Sequence, residues 1–69
     1  MTLVNWDEID PKYKWAAMDN IFHEVLVFTH RPTQIDDEFV LLGDTGECRI
    51  VASGVDTSDW LNSLEERPK

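Results

Sequence analysis

Residues 24–30 form the strongest apolar run of the chain, Val25, Leu26, Val27 and Phe28 followed by Thr29 and His30. β-branched and aromatic side chains fit a pleated surface, so this run predicts a strand. Its two faces, Val25/Val27/Thr29 and Leu26/Phe28/His30, are both largely apolar, which places the strand centrally or under cover on both sides. Arg31 and Pro32 end it. Ahead of it, Trp15, Ala16, Ala17 and Met18 predict a shorter strand. The connection between the two, Asp19, Asn20, Ile21, Phe22 and His23, must turn without a glycine and leaves Ile21 and Phe22 near the tip. The expectation is that both side chains fold back over the sheet edge; the alternative is an exposed apolar spot.

Further on, Phe39, Val40, Leu41 and Leu42 predict a third strand, and Gly43 and Gly46 permit a tight reversal into a return strand over 47–52. In that hairpin Cys48, Ile50 and Ala52 would face the core and Glu47, Arg49 and Val51 the other side. The first dozen residues hold one short helical turn at most: Asn5 can cap it, and Asp10-Pro11 has the residues of a type I turn. Residues 56–66 open on capping residues and carry Trp60, Leu61 and Leu64 at helical spacing, which predicts a short C-terminal helix with Glu65 and Glu66 solvated. The expected fold is a single small mainly-β (α+β) domain over 1–69, a three- to four-stranded antiparallel meander with a short C-terminal helix.

Composition narrows what such a domain does. At 69 residues the core is small, so self-association or a partner is a natural way to complete it. The lone Cys48 cannot make an intrachain disulfide, and no apolar run suits a membrane span or a signal peptide. A reducing, cytoplasmic setting is therefore expected. Fourteen acidic residues against six basic ones give a net charge of -8. Direct contact with nucleic acid or anionic membrane needs phosphate charge to be neutralised, so neither is expected; a basic partner surface is favoured.

Two segments resemble small, mostly uncharacterised proteins of tailed phages and prophages. One runs from Trp6 through Pro11 to Trp15-Ala16-Ala17-Met18-Asp19, and the other is the Trp60 to Pro68 tail with Ser63-Leu64-Glu65 and Arg67-Pro68. The group's usual glycine in the first hairpin is replaced here by Ile21, Phe22 and His23. The resemblance implies a phage origin and a host bacterial cytoplasm, and it brings no catalytic or binding residues.

Candidate chemistry is sparse. His23 and His30 match no metal-ligand spacing with Glu24, Asp19 or Cys48, and no cofactor is implied. Asp36, Asp37 and Glu38 are adjacent carboxylates, and neighbours on a strand point to opposite faces, which does not suit acid-base catalysis. No enzyme activity is expected. Trp6, Trp15 and Trp60 are read first as core pillars; the functional alternative is an interface anchor or a stacking platform for a base, and Trp6, in a polar terminal segment, is the tryptophan nominated for it. The expected contact surface is Trp6, Ile21, Phe22, Asp36, Asp37 and Glu38. The leading functional expectation is a phage accessory protein that inhibits or redirects a host protein of defence or DNA processing. A set of acids from Asp7, Glu8, Asp10, Asp36, Asp37, Glu38, Asp56, Asp59, Glu65 and Glu66 could imitate a phosphate array for a nucleic-acid-binding host protein. Alternatives are an oligomeric sponge for a nucleotide signal and a structural or virion component.

Overall fold

The computed structural model describes residues 2–43 and 46–69. Its centre is a hairpin of β1 (Trp15–Asp19) and β2 (Glu24–Phe28), antiparallel from Trp15 opposite Phe28 to Asp19 opposite Glu24. The apolar run over 24–28 therefore lies between neighbours on both sides, as its two apolar faces require. β5 (Cys48–Ser53) pairs with the outer side of β2, and the two-residue β6 (Glu65–Glu66) pairs with β1. This gives a four-stranded antiparallel sheet in the order β5-β2-β1-β6. β3 (Thr33–Ile35) and β4 (Glu38–Val40) form a separate two-stranded hairpin.

Each face of the sheet has its own cover. Ala16 and Val27 pack under the N-terminal segment through Trp6 and Tyr13, with Leu3, Val4 and Ile9 around them. On the opposite face Ala17 and Phe28 pack against Phe39 of β4 and Trp60, whose rings meet edge to face at 5.9 Å and 76°. An edge-to-face pair of this kind adds about 1 kcal/mol beyond the area it buries. The N-terminal segment holds one 3-10 turn, Trp6–Glu8, and Asn5 caps it by accepting from the Asp7 N–H at 3.2 Å. Asp10 forms the expected turn, its carbonyl accepting from the Tyr13 N–H at 3.1 Å.

Three expectations are corrected. The strands do not follow one another as a meander: the return strand pairs with β2, and β4 pairs with β3, which apolar patterning had not marked. Residues 44 and 45 of the expected reversal lie outside the described residues. Cys48, Ile50 and Ala52 are exposed on the edge strand β5; Cys48 and Ile50 share the side of Phe28 and Leu26 as expected, but a register shift between Val25 and Leu26 sets Ala52 opposite Val25, so the predicted alternation fails there. The C-terminal helix is only a 3-10 turn, Trp60–Asn62. Ser63 ends it by accepting from the Met18 N–H at 2.8 Å, and the chain then extends to pair as β6, leaving Leu61 exposed while Leu64 packs.

Candidate functional site

The turn between β1 and β2 reverses without glycine because His23 itself takes a positive φ of 54°. Asp19, buried, steadies its start by accepting from the Ile21 N–H at 2.9 Å. Ile21 and Phe22 are 45% and 70% exposed. They do not fold back over the sheet, which settles the alternative in favour of an exposed apolar tip.

Two other loops are tied to this turn. The Asn20 N–H donates to the Asp37 carbonyl at 3.1 Å, which brings in the β3-β4 loop, itself turned by Asp36 at φ 53°. Buried Thr57 donates its hydroxyl to Asn20 Oδ1 at 3.0 Å, leaving its oxygen to accept from His23 Nδ1 at 2.7 Å. The Val55 N–H completes the junction by donating to the His23 carbonyl at 3.2 Å. One end of the molecule, the turn pole, thus gathers exposed Ile21 and Phe22 with Asp36, Asp37, Glu38, Asp56 and Asp59. All five carboxylates are exposed except Glu38, which is half-buried. The Ser58 N–H donates to Asp56 and holds its carboxyl below the ordinary carboxylate value.

Five of the six nominated contact residues meet here, and Trp6 does not. It is buried on the face covered by the N-terminal segment, its Nε1 donates to Glu65 Oε2 at 2.7 Å, and the Arg67 guanidinium lies 5.1 Å from its ring. Trp6 is a core residue whose local polarity misled. The ten acids suggested as a phosphate array also divide: Glu65 is consumed by Trp6 and the Leu3 N–H, and Glu66 lies at the other end of β1. The two histidines sit apart, His23 on Thr57 and His30 on Thr29, and among the described residues no cluster of three metal-binding side chains exists.

Sequence reasoning overlooked the opposite end. There an open groove of about 590 Å³ is lined by Lys14, Trp15, His30, Arg31, Glu66 and Lys69. The Arg31 guanidinium lies 4.9 Å over the half-buried Trp15 ring. The available signal was the recurrence of cations just outside strand ends, at Lys14, Arg31 and Lys69, but only the pairing of β6 with β1 brings the C-terminal one to the other two. No helix among the described residues is long and apolar enough to cross a membrane. No protein-family model, curated protein or solved structure matches the chain.

Proposed function

We propose that this chain is a phage-encoded accessory protein that acts by stoichiometric binding, using the turn pole to inhibit or redirect a host protein of defence or DNA processing. The observation that supports this reading is the juxtaposition of exposed Ile21 and Phe22 with five carboxylates from two neighbouring segments, 36–38 and 56–59. Large apolar side chains at the centre of a contact supply the desolvated anchor, and surrounding charge supplies partner choice and association rate. A host protein that binds phosphate through Lys and Arg would meet a complementary potential at Asp36, Asp37, Glu38, Asp56 and Asp59. The phage-like segments around Trp15 and Trp60 support the origin.

The test is capture of tagged protein from bacterial lysate beside two variants, Ile21→Ser with Phe22→Ser, and Asp36→Lys with Asp37→Lys. The expected result is a host protein retained by the parent and lost by both variants, then confirmed as a one-to-one complex by titration. Retention of the same proteins by all three would remove the turn pole from the reading. The nucleotide-sponge alternative has one observation in its favour, the groove with Trp15 under Arg31, where a base and its phosphate could sit. A melting temperature unmoved by cyclic nucleotides would dispose of it.

A further inference from the structure

The basic residues of this chain are sorted by position along the sheet, whereas acids such as Glu47, Glu65 and Glu66 occur at the basic end too. Strand register places Asp19, Glu24 and Ser53 at one end and Trp15, Phe28, Cys48 and Glu66 at the other. All six Lys and Arg residues lie toward the second end: Lys12 pairs with Glu47 at 3.0 Å beside Thr29, Arg49 stands opposite Val27, and the remaining four line the groove around Trp15. Of those four, Arg67 is committed to backbone carbonyls, which leaves Lys14, Arg31 and Lys69 free to face a ligand, against the single acid Glu66. The turn pole offers five carboxylates around a projecting Phe22.

We propose that these two ends are complementary to each other, so that the turn pole of one copy docks in the basic groove of a second copy, head to tail. The inference uses the pole assigned above but stands on the layout of charge alone, whatever host partner that pole has. Phe22 is the knob, and the groove, whose volume is in the range of sites that enclose a small ligand, presents the Trp15 ring and the Arg31 plane to it. One copy cannot fill its own groove, since pole and groove stand at opposite ends of the five-residue β1, about 14 Å apart by strand rise. Stacked head to tail, each copy uses its pole on one neighbour and its groove on another, so the contact is heterologous and propagates as an open string unless the rotation closes it into a ring. The net charge of -8 on each copy opposes assembly at long range. At about 0.1 M salt the screening length is about 10 Å, which weakens that repulsion while leaving close contact pairs.

Sedimentation of the full chain tests this. At about 0.1 M salt the mean mass should rise continuously with protein concentration, and at about 1 M salt, where screening falls to about 3 Å, it should return to that of the monomer. Lys14→Glu with Arg31→Glu blocks the groove, and Phe22→Ser with Asp36→Lys and Asp37→Lys blocks the pole. Each variant alone should be monomeric, and their mixture should form a complex of one copy of each and nothing larger. Phe22→Ser by itself, which alters one exposed side chain, should weaken association at least tenfold and guards against misfolding of the multiple variants. A parent that stays monomeric at every concentration, a mass that stops at two copies, or association that survives in both blocked variants would overturn the proposal. The groove variant should keep any host protein captured through the pole, so loss of self-association and loss of host binding are separable results.

Discussion

At the Trp15 end of β1 a single guanidinium serves four backbone carbonyls, while at the Asp19 end two large apolar side chains stand in water beside unpaired carboxylates. Arg67 Nη1 donates to the carbonyls of Asp10 and Tyr13 at 3.1 and 3.0 Å, and Nη2 to those of Trp6 and Ile9 at 2.9 and 3.1 Å. Glu65, two residues earlier, accepts from the Leu3 N–H and the Trp6 indole. The N-terminal segment has no ladder of its own, and backbone groups taken from water need partners. β6 supplies an acid, Glu65, for its donors, and Arg67 just after the strand supplies a cation for its acceptors. The polarity of Glu65 and Arg67 is consumed in folding. At the turn pole, by contrast, the carboxylates of Asp36, Asp37, Glu38 and Asp59 meet no cation among the described residues. Groups that folding does not use are the ones free to make contacts.

The largest expected effect breaks the comparison at its closed end. Arg67→Met removes four hydrogen bonds to a charged donor and the cation over Trp6, and should cost about 3 kcal/mol even after allowance for its partial exposure. For a domain of this size that lowers the melting temperature by about 15 °C. Arg67→Lys should recover less than half, because an ammonium has no planar fork to span the carbonyls. Hydrogen exchange should show lost protection in residues 2–13 before the β1-β2 hairpin. If Arg67→Met melts with the parent, the clamp is decorative and the two ends do not differ as argued. Next in size is Gly46→Ala. Gly46 has φ +88°, and a Cβ there would stand 2.6 Å from His30 Nδ1 and 2.8 Å from Thr29 Oγ1, whereas Gly43 has open space. About 2 kcal/mol is expected at Gly46 and about 1 kcal/mol at Gly43, read by denaturant unfolding.

What sequence made legible were the features that neighbouring residues decide. The β1-β2 hairpin, the cap at Asn5 and the turn at Asp10 all follow from a few adjacent side chains, and each appears where patterning put it. Long-range pairing was not legible. Glu65 and Glu66 look like the solvated end of a helix, and they become a strand only because the free edge of β1 is there to receive them. Trp6 looks exposed among Asn5, Asp7 and Glu8, yet its burial depends on a carboxylate 59 residues away. The candidate site was half readable for the same reason. Ile21 and Phe22 stood out as apolar residues in a turn, but their proximity to Asp37 rests on one backbone bond from Asn20. Missing glycine was the clue to the tip: His23 takes the left-handed conformation instead, at a cost that a purely structural turn would avoid by using glycine.

Smaller effects sharpen the open end. Replacing Ile21 and Phe22 together by serine should shift unfolding by no more than about 0.5 kcal/mol, since neither side chain is needed by the core. A loss well beyond that would mean that the tip is part of the fold, and the contrast between the ends would fail. The smallest expected effect concerns Asp56, the pole carboxylate that accepts from a backbone N–H. The Ser58 N–H donates to its Oδ1 at 3.0 Å and holds its pKa below the ordinary carboxylate value in the folded chain. A carboxyl whose folded value lies below its unfolded one contributes stability that is present above the ordinary carboxylate range and is lost as pH falls through the folded value. Asp56→Ala should therefore melt slightly below the parent at neutral pH, with the two curves converging in acid. Because Asp56 is fully exposed to solvent, the neutral-pH difference should also shrink in high salt. A difference that stays constant from neutral pH to acid would assign the effect to the geometry of the turn rather than to the charge of the carboxylate, and the ionisation of Asp56 would then contribute nothing to folding.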